Sequence, residues 1–400
     1  MPGPFRRPLL VALAASLMLS GAAISAAPAL ARDAPVAPMI ETTAKSAFVV
    51  DGATGAVLLQ KEPDAPFPPA SLAKMMMMEI VFAALKDGTL RLDQTFPVSD
   101  HAWRTGGAPS GTSTMFAAVR SQVPVDALIR GTIIQSANDG AIILAEGMAG
   151  SEAAFAARMN ERAAELGMTG SRFVNPTGLP AEGQVVTARD LFRLARHIET
   201  QYPDLYRIYA EPSFEWNKIF QRNRNPLLSM DVGADGMETG FTEASGYSIV
   251  GVAGPQDRRT FVILSGLPTA KERASEARKL LLWARDGFRF QELFVAGQPV
   301  GTAPVFGGAA SGVVLTVPET VDAFVPTDKP DRISARIRYD APLLAPIAKG
   351  AKIGDLEIRM DDQTSVRRDL VAGADVETGG FAERALGAMR ELAFGWVRAF

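Results

Sequence analysis

The 400-residue chain contains no cysteine, which excludes disulfides, zinc–thiolate sites and a thiol nucleophile. Its two histidines, His101 and His197, stand in no triad motif and no metal-ligand spacing. His197 falls on an expected helix, where a structural role is the plain reading. No metal and no other cofactor is expected. Lys and Arg number 41 against 44 Asp and Glu, a formal net charge of −3, so the basic footprint that nucleic acid binding leaves is missing. No internal repeat of solenoid period occurs. The apolar stretch Leu9 to Leu19 is too short to anchor stably across a bilayer.

What is present describes a globular, exported chain. Apolar residues make up 47% and charged residues 21% of the sequence, enough for a core, and the length allows two domains. Arg6 and Arg7 precede the apolar stretch, and Ala29-Leu30-Ala31 offers small residues at the two positions a signal peptidase reads. Residues 1–31 are therefore expected to be a signal peptide outside the fold. The mature chain would begin near Arg32, work beyond the cytoplasmic membrane, and carry a mobile Ala/Pro-rich leader over 32–45.

Ala47-Phe48-Val49-Val50 and Ala56-Val57-Leu58-Leu59 flank the turn signal Asp51-Gly52-Ala53-Thr54-Gly55, which predicts a hairpin. Helical spacing of apolar residues follows over 71–86, 124–134, 137–148, 151–166 and 188–199. Thr187-Ala188-Arg189-Asp190 has the look of a cap opening the last of these. A second hairpin, Gly246 to Val252 and Thr260 to Leu264, precedes a helical stretch over 270–285. Strands at both ends and helices between predict an α+β domain, an antiparallel sheet with helices on it, over 46–287. Beyond it, short β-branched runs (Val313 to Val317, Ile333 to Tyr339, Leu356 to Met360) broken by Gly and Pro predict a small all-β domain over 288–375. The remainder, 376–400, reads as a terminal amphipathic helix with Phe381, Ala385, Met389, Leu392, Trp396 and Phe400 on one face. Such a helix either docks on its own domain or lies in a membrane interface.

Three short motifs carry the chemistry. In Ser71-Leu72-Ala73-Lys74, which follows Pro68-Pro69-Ala70, a helix is expected to start at or just after Ala70. That places Ser71 in the first turn, where the helix dipole favours developing oxyanion charge, and Lys74 three residues on along the same face. A serine hydroxyl needs a neighbouring base to become nucleophilic, and a lysine serves only when burial or nearby positive charge lowers its pKa. The apolar residues Met75 to Met78 and Ile80 to Ala84 supply such a setting. Ser136-Ala137-Asn138 opens the next helical stretch; Ser136 offers a proton-relay hydroxyl, and Asn138 an amide able to bond both Lys74 and a substrate carbonyl. The third motif is Asp235-Gly236-Met237-Glu238-Thr239-Gly240. Each motif alone also has a plain reading, a capping serine with a surface lysine for the first, a cap for the second and a surface strand residue at Glu238 for the third; their order supplies the specificity.

In that order the motifs resemble the low-molecular-mass penicillin-binding proteins of the D-alanyl-D-alanine carboxypeptidase type, serine peptidases of family S11. Phe48-Val49-Val50-Asp51, Asn175-Pro176-Thr177-Gly178-Leu179, Asn223-Arg224-Asn225-Pro226-Leu227-Leu228 and Ala345-Pro346-Ile347-Ala348-Lys349-Gly350 also fall where the family has similar segments. The resemblance implies a β-lactamase/transpeptidase-like domain and a C-terminal helix that anchors the protein on the periplasmic side of the membrane surface. It implies that Ser71 attacks the carbonyl between the terminal D-alanines of a peptidoglycan stem peptide with Lys74 as base, Ser136 and Asn138 assisting. Glu238, Thr239, Gly240, Phe241 and Arg273 would then bind substrate, with the backbone N–H groups of Ser71 and Phe241 as the oxyanion hole. β-Lactam antibiotics would be inhibitors that stop at the acyl stage.

One position departs from the family pattern. Glu238 stands where the family carries a lysine that faces the substrate's terminal carboxylate. At about 4 Å and an effective dielectric near 20, a glutamate would repel that carboxylate by about 4 kcal/mol, and it would hold Lys74 protonated. Arg273 is the expected compensating cation, and Glu238 is expected either to swing away or to pair with Arg222 or Arg224. Thr177 also stands where many relatives carry histidine. The expected activity is reduced but not absent. A D,D-endopeptidase and a weakly catalytic wall-binding homologue use the same residues and stay open. A class A β-lactamase does not, since no E-x-x-x-N occurs between the second and third motifs.

Overall fold

Continuous apolar runs on either side of a tight turn make the first hairpin. Ser46–Asp51 (β1) and Val57–Lys61 (β2) flank a turn closed by Asp51, whose Oδ1 accepts the Thr54 N–H at 2.8 Å and its hydroxyl at 2.7 Å. Ala234–Thr242 (β3), Gly246–Ala253 (β4) and Thr260–Leu267 (β5) complete an antiparallel sheet in the order β2-β1-β5-β4-β3. As the sequence predicts, early and late strands meet: Phe48 lies opposite Ile263 and Val50 opposite Phe261. The computed structural model describes residues 6–11, 40–361, 363–381, 384 and 385, and the chain divides into two units, one of residues 41–286 and one of the rest.

Within the first unit the helices are Ala73–Lys86 (α1), Val125–Ile134 (α2), Asn138–Ala149 (α3), Glu152–Glu165 (α4), Ala188–Gln201 (α5) and Ala270–Asp286 (α6). The Thr187 side chain caps α5 by accepting the Asp190 N–H at 3.1 Å. α5 and α6 pack on the sheet, with the Phe192 ring edge-on to Phe48 and Phe261. α1 is apolar almost all round, and Ala73 to Glu79 are all buried; such a helix belongs inside a domain. The four methionines Met75 to Met78 sit in the main core, where the thioether fills irregular space.

Two features aim the site. The helix expected from residue 71 begins instead as a 3-10 turn, Ala70–Leu72, and only Ala73 starts α1. Pro69 fixes the entry and Ala70 takes a left-handed φ of 49°, so the chain turns sharply just before the serine. Second, β3 is an edge strand, and it lies hard against that turn. A Cβ on Gly240 would stand 3.1 Å from both the Ala70 Cβ and the Pro69 carbonyl oxygen.

The segment expected to be a mobile leader is held down at its end. Lys45 N–H donates to the Ser265 carbonyl at 2.9 Å, and Lys279 Nζ to the Glu41 carbonyl at 2.8 Å. The Lys45 bond continues the β1–β5 pairing by one residue and the Lys279 side chain holds Glu41, so this unit starts at residue 41 rather than 46.

The second unit is built of strands. Phe288–Phe294 pairs with Val321–Pro326, and a seven-stranded sheet contains Pro299–Phe306, Gly312–Thr316, Ile333–Asp340, Leu343–Leu344, Lys352–Met360 and Gln363–Ala372. The remaining strand is Arg6–Val11, antiparallel to Ile333–Asp340. Residues 6–11 fall within the segment expected to be a signal peptide. Ile333–Asp340 presents unpaired backbone groups along one side, and an extended segment of the same chain satisfies them. The expected terminal helix also needs correction at its start. Val376 bridges Ile347 and Thr378 bridges Gly308, so 376–378 belong to the β unit. Phe381 is 84% exposed; Met389, Leu392, Trp396 and Phe400 lie outside the described residues. Among the described residues no helix is long and apolar enough to cross a membrane.

Candidate active site

Ser71 and Lys74 meet as their spacing suggests. Lys74 Nζ donates to Ser71 Oγ at 2.9 Å, and the lysine is only 1% exposed. Burial disfavours the ammonium and lowers its pKa to about 8. Glu238 and Asp139 pull in the opposite direction, and the positive field of Arg224 adds to the lowering.

The second partner of Lys74 was not legible beforehand. Nζ donates to the backbone carbonyl of Thr177 at 2.7 Å; Asn138, expected to take this place, does not bond the lysine. The reason lies in the Asn175 turn. Asn175 Oδ1 accepts the Thr177 hydroxyl at 2.9 Å and the Gly178 N–H at 2.8 Å, which curls the segment and points the Thr177 carbonyl inward. Gly178 has φ +81°, and a Cβ there would come within 1.7 Å of the Ala70 carbonyl oxygen. Only glycine allows this approach. The contact itself uses the main chain, while the Thr177 hydroxyl helps to hold the turn that aims it.

Ser136 and Asn138 stand at the mouth of α3. The helix is capped by no side chain, and Ala137 is its N-cap, so Ser136 and Asn138 are not spent on capping. Ser136 takes a left-handed φ of 56°, is buried, and its Oγ meets no hydrogen-bond partner. A strained, buried and unpaired hydroxyl marks a functional position more often than a structural one. Asn138 Nδ2 donates to Thr112 Oγ1 at 3.0 Å, while its Oδ1 is buried without a partner. The neighbouring Asp139 escaped notice in the sequence. It is fully buried and accepts from Thr114 Oγ1 and the N–H groups of Met115, Ala117 and Gly140, between 2.7 and 3.0 Å. It thereby clamps residues 114–117 against α3.

The third motif runs along β3. Glu238 is 3% exposed, so it is no surface strand residue, nor does it swing away or pair with Arg222 or Arg224. Its carboxylate accepts the N–H of Thr239 at 3.0 Å, and no ion pair joins it to any described cation. Burial raises its pKa to about 7, opposed first by the charge of Lys74 and then by the Thr239 N–H, Ser136 and Arg224. The Ser136 hydroxyl is close enough to act on it, although it falls short of a hydrogen bond. A pair of buried groups, one acid and one base, so shifted toward each other titrates as a unit. Thr239 is buried, and Gly240 permits the close packing of β3 on the 70–72 turn. Phe241 is half exposed, its ring 4.3 Å from that of Tyr247. Arg273 on α6 sits with its guanidinium 5.6 Å from the Tyr247 ring centre. Burial holds its pKa below the ordinary arginine value, and its Nε has no partner.

All the residues expected at the site except Lys74 and Glu238, which are buried beneath it, line one cleft with two lobes that share Ser71, Ser113, Arg224 and Phe241. One lobe, about 1060 Å³, runs past Asn138, Thr177, Gly178 and Leu179. The other, about 710 Å³, holds Ser136, Thr239, Gly240, Tyr247 and Arg273. Neither histidine is near. His101 bonds Glu152 at 2.8 Å, and His197 lies 3.2 Å from the buried Glu79.

The cleft agrees with what the chain is similar to. Residues 31–267 match the family model described as D-alanyl-D-alanine carboxypeptidase, peptidase S11, and residues 288–378 match that of the penicillin-binding protein 5 C-terminal domain. D-alanyl-D-alanine carboxypeptidase DacC of Escherichia coli is 37% identical over 354 residues, 87% of each chain. The crystal structure of the carboxypeptidase DacD from Francisella tularensis covers 87% of this chain and 97% of its own at 28% identity and a TM-score of 0.72. Penicillin-binding protein D2 of Listeria monocytogenes, solved in its ampicillin-bound form, covers 62% and 100% at 27% identity and a TM-score of 0.54. A serine held 2.9 Å from a buried, weakened lysine, with a second motif serine and asparagine beside them, thus sits in a chain that belongs to the S11 peptidase family of D-alanyl-D-alanine carboxypeptidases.

Proposed function

We propose that this chain removes the terminal D-alanine from peptidoglycan stem peptides through an acyl-enzyme on Ser71. The observation that carries the reading is the Ser71–Lys74 contact, made by an amine that burial brings close to neutrality. Lys74 as free amine takes the Ser71 proton while Oγ attacks the carbonyl carbon. Ser136, unpaired and buried beside them, relays a proton to the departing amine of D-alanine. The backbone N–H groups of Ser71 and of Phe241, on the open side of β3, receive the oxyanion. Asn138 Oδ1, lacking a partner, takes an N–H of the peptide. Water then releases the shortened stem.

β-Lactams acylate the same serine and stay there. The stem enters along the larger lobe and the terminal carboxylate along the smaller one, toward Thr239 and Arg273. Glu238 lowers the rate relative to an enzyme with a cation at that position. A weakly catalytic wall-binding role is the second reading, favoured by that one buried carboxyl. The protein acts outside the cytoplasmic membrane, and residues 379–400 attach it to the membrane surface.

Mass spectrometry after penicillin exposure should find Ser71 acylated, and a Lys-D-Ala-D-Ala peptide should lose D-alanine. Glu238→Lys should raise that rate. Penicillin acylation without D-alanine release would favour the wall-binding reading, and no acylation would overturn both.

A further inference from the structure

Apolar surface gathers at one opening of the cleft. Phe116, Ile219, Phe220 and Phe241 all line the smaller lobe, and all four are exposed, Phe220 by 60%. Single apolar residues on a surface need no explanation, but a cluster at the edge of a cleft marks a binding surface. The Phe241 ring is already packed on Tyr247. Phe116, Ile219 and Phe220 are left facing the lobe.

These three stand on a fixed frame. Ser213–Trp216 and Ile219–Arg222 pair as a hairpin whose two linking residues, Asn217 and Lys218, take left-handed φ values of 49° and 61°. Positive φ at both positions makes a tight turn that suits the strand twist. The hairpin is tied across to the Phe116 segment. Asn217 Nδ2 donates to the Phe116 carbonyl at 2.9 Å, and the buried Gln221 donates from Nε2 to the Met115 carbonyl at 3.2 Å. Phe116 has a left-handed φ of 63°, which is unfavourable for a bulky side chain. Asp139 holds the N–H groups on either side of it, those of Met115 and Ala117, and Thr114 Oγ1 accepts its own N–H at 3.0 Å. Backbone strain kept in place by so many bonds gathers at ligand clamps. The apolar wall is therefore formed before anything binds, and little ordering is left to be done on binding.

On the carboxypeptidase reading, on which this inference rests, the departing residue lies in the smaller lobe, next to Ser136. An alanine methyl would leave most of the wall wet, whereas a larger apolar side chain would take it out of water. We propose that Phe116, Ile219 and Phe220 form a side-chain subsite for the departing residue, and that this chain releases D-amino acids with apolar side chains larger than alanine, of the D-leucine class, as well as D-alanine. The bonds made and broken are the same in both cases. Ser71 Oγ joins the carbonyl carbon, the C–N bond to the last residue breaks, its nitrogen takes a proton, and water later replaces Ser71. Only the leaving amino acid differs. The three residues determine specificity and touch no reacting atom.

The test gives the protein Lys-D-Ala-D-Ala and Lys-D-Ala-D-Leu and measures the free amino acid released from each. Wild-type protein should release D-leucine at a kcat/KM comparable with that for D-alanine. In Phe220→Ala the ratio of the two values, D-leucine over D-alanine, should fall by on the order of tenfold, the weight of a few methylene groups in an apolar pocket. Phe220→Leu keeps the wall apolar and should hold the ratio near the wild-type one. Acylation of Ser71 by penicillin in each variant shows that the site is folded. Release of D-alanine without D-leucine, an equal fall on both peptides, or a fall in Phe220→Leu as large as in Phe220→Ala would overturn the proposal. A wild-type protein that releases neither residue would sink the carboxypeptidase reading instead, so the two failures are distinct.

Discussion

Lys74 and Glu238 are both buried beneath the cleft, each bends the other's titration, and yet no ion pair joins them. Their protons are shared in effect though not in contact, and the balance between them sets how much free amine stands beside Ser71.

The pH dependence follows from that balance. The base works only unprotonated, so the rate constant for acylation by a β-lactam should rise with pH through a limb near the Lys74 value of about 8. In Glu238→Gln the carboxylate that favours the ammonium is gone, so the lysine loses its proton more readily and the limb moves to lower pH. Stopped-flow acylation across pH 5 to 10 reads the shift; a limb that stays put or moves upward contradicts it.

Removing the amine isolates its part. Lys74→Met keeps an unbranched apolar stem in a wholly buried place. Acylation of Ser71 should fall by about a hundredfold to ten-thousandfold, the range of a lost general base. The thermal midpoint should move little, since a buried basic group is removed along with its bond to Thr177. A midpoint collapse would recast Lys74 as a structural residue.

Gly178→Ala is expected to damage both stability and chemistry. Its Cβ would overlap the Ala70 carbonyl and push Thr177 off Lys74. Gly88→Ala is the comparison: φ is +80° there, but nothing lies within 4 Å of the added atom. The strain of a left-handed alanine, about 1 kcal/mol, is common to the two. Denaturant melts should show the larger loss at 178, and acylation should slow only there.

Asp139→Asn tests the clamp on residues 114–117. The amide keeps the shape but turns one acceptor into a donor that faces the donors of Thr114, Met115 and Ala117. A cost of about 1–3 kcal/mol follows from leaving such groups unpaired. It should appear in melting curves, along with faster hydrogen exchange over 112–117.

Much of this could be read in the chain before any coordinates. Short apolar runs flanking turn signals located β1, β2, β4 and β5, period-3.6 runs located α1 to α6, and motif order placed Ser71, Lys74, Ser136 and Asn138 within one reach. What escaped has a common cause. The Thr177 contact runs through a main-chain carbonyl, which no residue type announces. Asp139 follows a motif asparagine and resembles any helix-opening acid. The burial of Glu238 depends on how closely β3 lies on the 70–72 turn, a fact of tertiary packing that the local pattern D-G-M-E-T-G leaves open. The end of the leader is held by Ser265 and Lys279, partners far away in sequence that its Ala/Pro-rich composition does not announce.

The run Met75 to Met78, which follows Lys74 on α1, has a chemical consequence. Each thioether can take up one oxygen and become a sulfoxide, a strong dipole where there was none. Such dipoles in the apolar core would disturb the packing of α1, which carries Lys74, and so weaken the base with Ser71 chemically untouched. All four sulfurs belong to side chains that are at most 1% exposed, so peroxide reaches them only when the helix bundle opens. Inactivation by oxidants should therefore keep pace with the opening of the protein interior, and occupants of the cleft should slow it only insofar as they hold that interior shut.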